Sequence, residues 1–175
     1  MNDRVNVLDH GFVRLVDLMG SDLSISRAAR VSYDAAWRAG EDEGSDARLI
    51  GYLLKNGHNT PFESVEFQFE VMAPIFVVRQ WHRHRTWSFN ELSARYRPLP
   101  EKFYVPAPQN IGKQSASSKQ AREIPDAYDS AYALVAIGTA DMIKDASEAA
   151  FAVYRSLLER GTPRELARTV LPLNT

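Results

Sequence analysis

An α+β fold is expected from three features of the 175-residue chain. Residues 65–71 alternate, with Val65, Phe67, Phe69 and Val71 on one side and Glu66, Gln68 and Glu70 on the other, as in a half-buried antiparallel strand. From Pro125 to Arg160, Tyr128, Tyr132, Val135, Ile143, Phe151, Tyr154 and Leu158 recur at helical spacing, which predicts one long helix in the C-terminal half. Short strand patterns and helical patterns succeed each other without regular βαβ units. The expected architecture is an antiparallel or mixed sheet with helices packed on it.

The elements follow in order. Val5, Val7 and Leu8, then Phe12–Met19, flank the turn Asp9-His10-Gly11 and predict two short strands in a hairpin. Ser21 or Asp22 can cap a helix that buries Leu23, Ile25, Ala28, Ala29 and Val31. The acidic stretch "RAGEDEGSD" reads as a solvated loop. Ser45 then caps a second helix through Leu49, Ile50, Leu53 and Leu54, closed by Gly57. "TPFE", Thr60 to Glu63, has the capping-box pattern with Pro at the first helical position. Pro74 opens "PIFVVRQWHRH", a helix with an apolar start and a basic end near His84. Residues 107–124 are polar and small, the composition of a mobile surface loop. Gly161 stops the long helix, and "TPRE", residues 162–165, is a second capping box opening a short helix before Pro172. No internal repeat is present, and residues 1–175 are read as a single domain.

A chain of this length buries about two-thirds of its unfolded surface. Its 45% hydrophobic and 25% charged content is ordinary for a globular protein. The net charge of −1 implies no global attraction to nucleic acid. No cysteine is present, which removes disulfides, thiolate zinc sites, iron–sulfur ligation and a Cys nucleophile together. The start "MNDRVNVLDHG" is charged and lacks the apolar core of a signal peptide. No apolar run approaches the ~18 residues that span a bilayer. A soluble cytoplasmic protein is expected.

The chemistry concentrates in "RHRTWSFNELSARY", residues 83–96. Arg79, Arg83, Arg85, Arg95 and Arg97 place five guanidinium groups within nineteen residues, with Glu91 as the one acid among them. On a helix ending near His84, Gln80 and Arg83 would share a face. An Arg fork beside amide donors suits a phosphate or carboxylate, gripped in bidentate fashion. Glu91 could order the guanidiniums or accept N–H donors from a sugar or base, and Ser88, Asn90 and Ser93 add short polar groups. His82 and His84 have no Cys or nearby Asp to complete a ligand set, and the flanking Arg residues repel a cation, so no metal is expected. Trp81, Trp87, Phe89 and Tyr96 among basic residues could instead stack nucleic-acid bases. That is the competing expectation: a non-catalytic nucleotide- or RNA-binding module.

These residues carry a resemblance. "RHRTWSFNELSARY" resembles the signature of flavin-dependent thymidylate synthases, Arg-His-Arg, seven residues, then Ser, here Arg83-His84-Arg85 and Ser93. Ser88, Asn90, Glu91, Arg95 and Tyr96 fit its longer form. The likeness runs from "NVLDHGFVRLVDLMGSDLSISRAARVSY" through "GHNTPFES" and "PIFVVRQW" to "GTPRELARTVLPLN", nearly the whole chain. It implies a flavin-dependent thymidylate synthase-like fold and a methyltransferase that converts dUMP to dTMP. The implied carbon donor is 5,10-methylenetetrahydrofolate, the reductant NADPH and the hydride carrier FAD. It further implies a homotetramer with active sites built at subunit interfaces. A chain without Cys is consistent with it, because the unrelated folate-only synthases attack uracil with a Cys.

Residue by residue, the resemblance implies dUMP contacts at Gln80, Arg83, Glu91, Leu92, Ser93, Ala94, Arg95 and Arg168. It implies FAD contacts at Ser32, His58, Thr60, Arg83, His84, Arg85 and Glu91. Arg95 and Arg168 suit phosphate grips, and Thr60 at a helix N-terminus suits the dinucleotide's pyrophosphate or ribose. For His58, a structural hydrogen-bonded imidazole beside a helix cap is an equal reading. Ser93 lacks a His–Asp pair to activate it, so a hydrogen-bonding role is expected. Ala94 stands where relatives often have Gly. The family pattern continues beyond "VLPLNT" with an Asn-x-Arg, a further Asn and an Arg that polarises the uracil. None lies within these 175 residues, so no catalytic residue is assigned and full turnover is expected to need that tail.

Overall fold

The computed structural model describes residues 4–124 and 130–175. They divide into two compact units: Met1–Asn6 with Phe12–Val71, and Val7–Gly11 with Met72–Thr175. The secondary structure is α+β, as expected from the alternating patterns.

In the first unit, β1 (Arg4–Val7), β2 (Gly11–Met19) and β3 (Glu66–Met72) form a sheet in that order. The three residues between β1 and β2 are too few for anything but an antiparallel hairpin. Gly11 is required there, because a Cβ would lie 2.7 Å from the Val7 carbonyl oxygen. β3 forms as the alternation predicts, but half-burial does not follow: Phe67 is 57% and Phe69 41% exposed. Alternation specifies a strand with an apolar face; it does not specify what covers that face.

Helix α1 (Asp22–Val31) is capped by Ser21, whose N–H donates to Ser24 Oγ at 3.1 Å. Its buried side is narrower than expected, holding Ile25 and Ser26 while Leu23 and Val31 stay exposed. α1 packs against α2 (Glu43–Lys55) and against 3-10 turns at Ala36–Arg38 and Thr60–Ser64. α2 begins before Ser45, because the Asp42 carboxylate accepts the Ser45 N–H at 3.0 Å and so takes the cap. The expected acidic loop is correspondingly shorter. Gly57, at φ +68°, lies just past its end. "TPFE" forms a 3-10 turn with no side-chain cap, so its capping box does not form and Thr60 opens no α-helix. The cap position falls on Asn59, one residue before Thr60, so Thr60 and Glu63 are out of register for the reciprocal bonds of a box.

Arg30 and Asp46 form an ion pair that joins α1 to α2, and the Gly40 N–H donates to Asp46 Oδ2 at 2.7 Å. The Arg30 hydrogen bond, then that of Gly40, holds the Asp46 carboxyl below its ordinary range. A folded-state pKa below the unfolded one stabilises the fold above the unfolded value, about 3.9, and the gain disappears as pH falls through the folded value. Asp46→Asn is expected to lower the melting temperature at pH 7 and flatten its fall on acidification. Parallel melting curves for both proteins across pH 7 to 3 would contradict this.

In the second unit, α3 (Ile75–Trp81) follows the N-cap Pro74, which offers no capping side chain. Its first two free amides, those of Ile75 and Phe76, donate instead to the carbonyl oxygens of Thr175 at 2.9 Å and Leu173 at 3.0 Å. The long helix α4 (Ser130–Glu159) runs as the periodicity predicts, with Gly161 at φ +80° past its end; Pro125 and Tyr128 lie outside the described residues. Residues 107–124, expected as a mobile loop, hold a 3-10 turn at Pro108–Asn110 and an antiparallel hairpin. Its strands β4 (Lys113–Gln114) and β5 (Arg122–Glu123) are bridged by the buried Ser115 hydroxyl, which donates to Glu123 Oε1 at 2.7 Å. α5 (Arg164–Ala167) has Pro163 as its N-cap and no capping side chain, so the second capping box is also absent. The cap position falls on Pro163, one residue past Thr162, and the Glu165 carboxylate faces Arg95 instead of the backbone.

The core of this unit is Phe151 and Tyr154 of α4 with Ala167 of α5, packed against Leu99, Phe103, Leu157, Leu158 and Leu171. Tyr154 Oη accepts the Leu99 N–H at 3.1 Å. Leu99 and Phe103 lie just beyond residue 96, so the core grips the chain directly after the basic motif.

Candidate functional site

Residues 83–96 lie wholly within the second unit, between α3 and the segment anchored on α4. The helix ends at Trp81, with His82 as its C-cap, so Gln80 and Arg83 do not share a helical face as expected. The chain turns instead: the Arg83 N–H donates to the Gln80 carbonyl at 3.2 Å and the His84 N–H to that of Trp81 at 2.9 Å. Aromatic packing explains the turn. Trp87 meets Trp81 edge-on at 5.4 Å, and Phe89 lies 6.2 Å from Trp81 and 4.4 Å from His82, contacts a continued helix would carry away. These rings are partners of one another rather than a free ladder for bases, which weighs against the RNA-binding reading. Tyr96 stands apart, 81% exposed.

Arg79, Arg83, His84, Arg85 and Arg97 are exposed, and among the described residues none of the four arginines takes part in an ion pair. Glu91, the expected internal partner, is exposed and pairs with none of them. Arg95 is the exception: its Nε lies 3.3 Å from Glu165 Oε2 on α5. The far end of the motif is held closely. Ala94 is 4% exposed, and Ser93 Oγ accepts the Arg95 N–H at 3.3 Å, leaving its own proton free to donate. Leu92 is exposed. Arg168, the C-cap of α5, follows Glu165 by about one turn, so the ion pair brings Arg95 to the helix that carries Arg168.

The remaining candidates belong to the first unit. Ser32 is the C-cap of α1. His58 donates its backbone N–H to the Leu53 carbonyl at 2.9 Å, and its ring stacks on Tyr52 at 6.2 Å rather than making the expected structural hydrogen bond. Thr60 begins the 3-10 turn. All three are exposed.

Glu165 was absent from the sequence-derived set. The signal was available, since it is the acid of "TPRELAR" next to an expected phosphate-binding Arg, but a capping-box reading assigned its carboxylate to the backbone. Among the described residues, no group of three or more His, Asp or Glu converges as metal ligands. Unpaired guanidiniums on a turn anchored at both ends suit an anionic ligand with a flat face.

These features define an α+β protein with an exposed, arginine-rich turn that suits an anionic ligand. A family model described as "Thymidylate synthase complementing protein" matches residues 14–175. The flavin-dependent thymidylate synthase of Thermotoga neapolitana is 46% identical over 171 residues, covering 98% of this chain and 69% of the relative. That of Thermus thermophilus is 48% identical over 170 residues, covering 97% of this chain and 58% of the relative. The chain therefore spans 58–69% of these relatives' length. Among solved structures, a UMP/dUMP methylase PolB from Streptomyces cacaoi, bound with 5-Br dUMP, superposes with a TM-score of 0.78 at 41% identity. That match covers 98% of this chain and 71% of the other. The chain belongs to the flavin-dependent thymidylate synthase family.

Proposed function

We propose that this chain works as a flavin-dependent thymidylate synthase. In this reading it belongs to an enzyme that methylates dUMP to dTMP with 5,10-methylenetetrahydrofolate as carbon donor and NADPH as reductant, full turnover needing the family's C-terminal tail as well. The observation that carries the proposal is the family signature folded as a turn: among the described residues Arg83 and Arg85 carry no ion pair, Ala94 is buried, and Arg95 pairs with Glu165. The unpaired forks fit the phosphates of dUMP and FAD. Gln80, Glu91, Leu92, Ser93 and Ala94 line up with Arg83, Arg95 and Arg168 as nucleotide contacts. Ser32, His58, Thr60, Arg83, His84, Arg85 and Glu91 serve FAD. Bound FAD supplies the hydride chemistry, and the protein binds and orients. Ser93 donates a hydrogen bond to the nucleotide, and Arg95 and Arg168 take its phosphate.

The apolar side of β3, left open in the single chain, supports assembly with further copies, consistent with a homotetramer of single-domain subunits. Among the described residues no helix is long and apolar enough to cross a membrane, and a cytoplasmic location is part of the proposal.

The test is binding followed by turnover. The protein should bind FAD and dUMP, and Arg95→Ala should raise the dUMP Kd by about 10- to 100-fold while changing the FAD Kd less than about twofold. Equal losses for the two ligands would contradict the Arg95 assignment. Protein that binds neither ligand would overturn the whole reading.

A further inference from the structure

We infer that Glu165 is the positioning residue of the nucleotide site: its carboxylate sets the direction of the Arg95 guanidinium. The inference rests on the reading of Arg95 as a dUMP phosphate contact. Arg95 sits on a tightly fixed piece of backbone, because Ala94 is 4% exposed and the Arg95 N–H is held by Ser93 Oγ. From that base extends a long, rotamer-rich side chain whose surface is 62% exposed. Among the described residues, the one ion pair that constrains it is the 3.3 Å contact from its Nε to Glu165 Oε2.

The nitrogen used is informative. A carboxylate on Nε occupies one edge of the planar group and leaves the far edge, between the two terminal nitrogens, for a bidentate anion. Glu165 thus orients the fork without filling it. An exposed pair of this kind adds little to stability, so its removal should leave the fold intact. Glu165 also lies on α5, about one turn before Arg168, so one short helix sets both proposed phosphate contacts.

A pure charge effect has the opposite sign. Removing a carboxylate near an anion site lessens repulsion and tightens the anion, and it does so equally for Ala and Gln. Positioning depends on an acceptor oxygen, which Gln retains and Ala lacks. Glu165→Ala is therefore expected to raise the dUMP Kd about fivefold, near the upper range for an exposed ion pair. Glu165→Gln should stay within about twofold of the parent, and FAD affinity should be unchanged in both.

The experiment is a double-mutant cycle by dUMP titration of the parent, Glu165→Ala, Glu165→Gln, Arg95→Ala and the double variant Glu165→Ala/Arg95→Ala, with FAD titrated in parallel. Positioning predicts that the Glu165→Ala effect disappears in the Arg95→Ala background. Tighter dUMP binding in both Glu165 variants, an Ala effect that persists without Arg95, or no Ala effect while Arg95→Ala still weakens dUMP would each overturn the inference. If Arg95→Ala leaves dUMP affinity intact, the assignment of Arg95 fails instead.

Discussion

Phe151→Ala should lower the unfolding free energy of the second unit by about 3–5 kcal/mol, the usual result of emptying a buried aromatic site. Phe151 is 1% exposed, and its ring lies 5.8 Å from Phe103 and 6.2 Å from Tyr154, edge-on to the latter. Neither neighbour can collapse into the space cheaply: Tyr154 is tied to Leu99 through its hydroxyl, and Phe103 is on the segment that follows the motif. The measurement is the urea midpoint at constant slope. Leu134→Ala on the same helix, at a side chain 72% exposed, should move it by less than about 0.5 kcal/mol. A Phe151→Ala loss under about 1 kcal/mol would show that the cluster is not the core. Because Leu99 and Phe103 hold the chain just after Arg95, the same variant should also weaken dUMP binding more than FAD binding.

The fold could be read from local patterns wherever the structure is decided locally. Alternation at 65–71 and helical spacing from Ser130 onward gave the strand and the long helix, and Gly57 and Gly161 marked two helix ends through their positive φ. The misreadings share a cause. Ser45, Thr60 and Thr162 each look like a helix cap, the last two with capping-box spacing, yet none caps an α-helix, because Asp42 competes successfully in one case and the cap position falls on Asn59 or Pro163 in the others. Spacing records an opportunity for a hydrogen bond; competition decides whether it forms. The site divides the same way. Polar density in 83–96 was visible at once, but Trp87 folding back on Trp81 and Glu165 reaching Arg95 depend on where distant segments meet. No local period encodes the capping of α3 by carbonyls about a hundred residues later.

That distant cap rests on Asn174, and Asn174→Ala should cost about 2–3 kcal/mol. The Asn174 Nδ2 donates to the Tyr104 carbonyl at 2.8 Å and to Ser147 Oγ at 3.0 Å, while the Asn174 carbonyl accepts the Tyr104 N–H at 2.8 Å. Ser147 is 2% exposed and passes its own proton to the Ile143 carbonyl, so one amide ties the 171–175 segment to both α4 and residue 104. Removing the amide leaves the Tyr104 carbonyl short of a donor and loosens the Leu173 and Thr175 carbonyls that cap α3. Hydrogen exchange at the Ile75 and Phe76 amides should therefore accelerate, while amides of α1 and α2 keep their protection. Asn174→Asp separates bonding from packing. It preserves volume but replaces the donor with an acceptor facing two oxygens, so it should destabilise at least as much as Ala. If Asp behaves like the parent, the segment is held by shape alone. If Asp fails and the α3 amides open with it, a single donor at residue 174 holds in place the helix that delivers the arginine-rich turn.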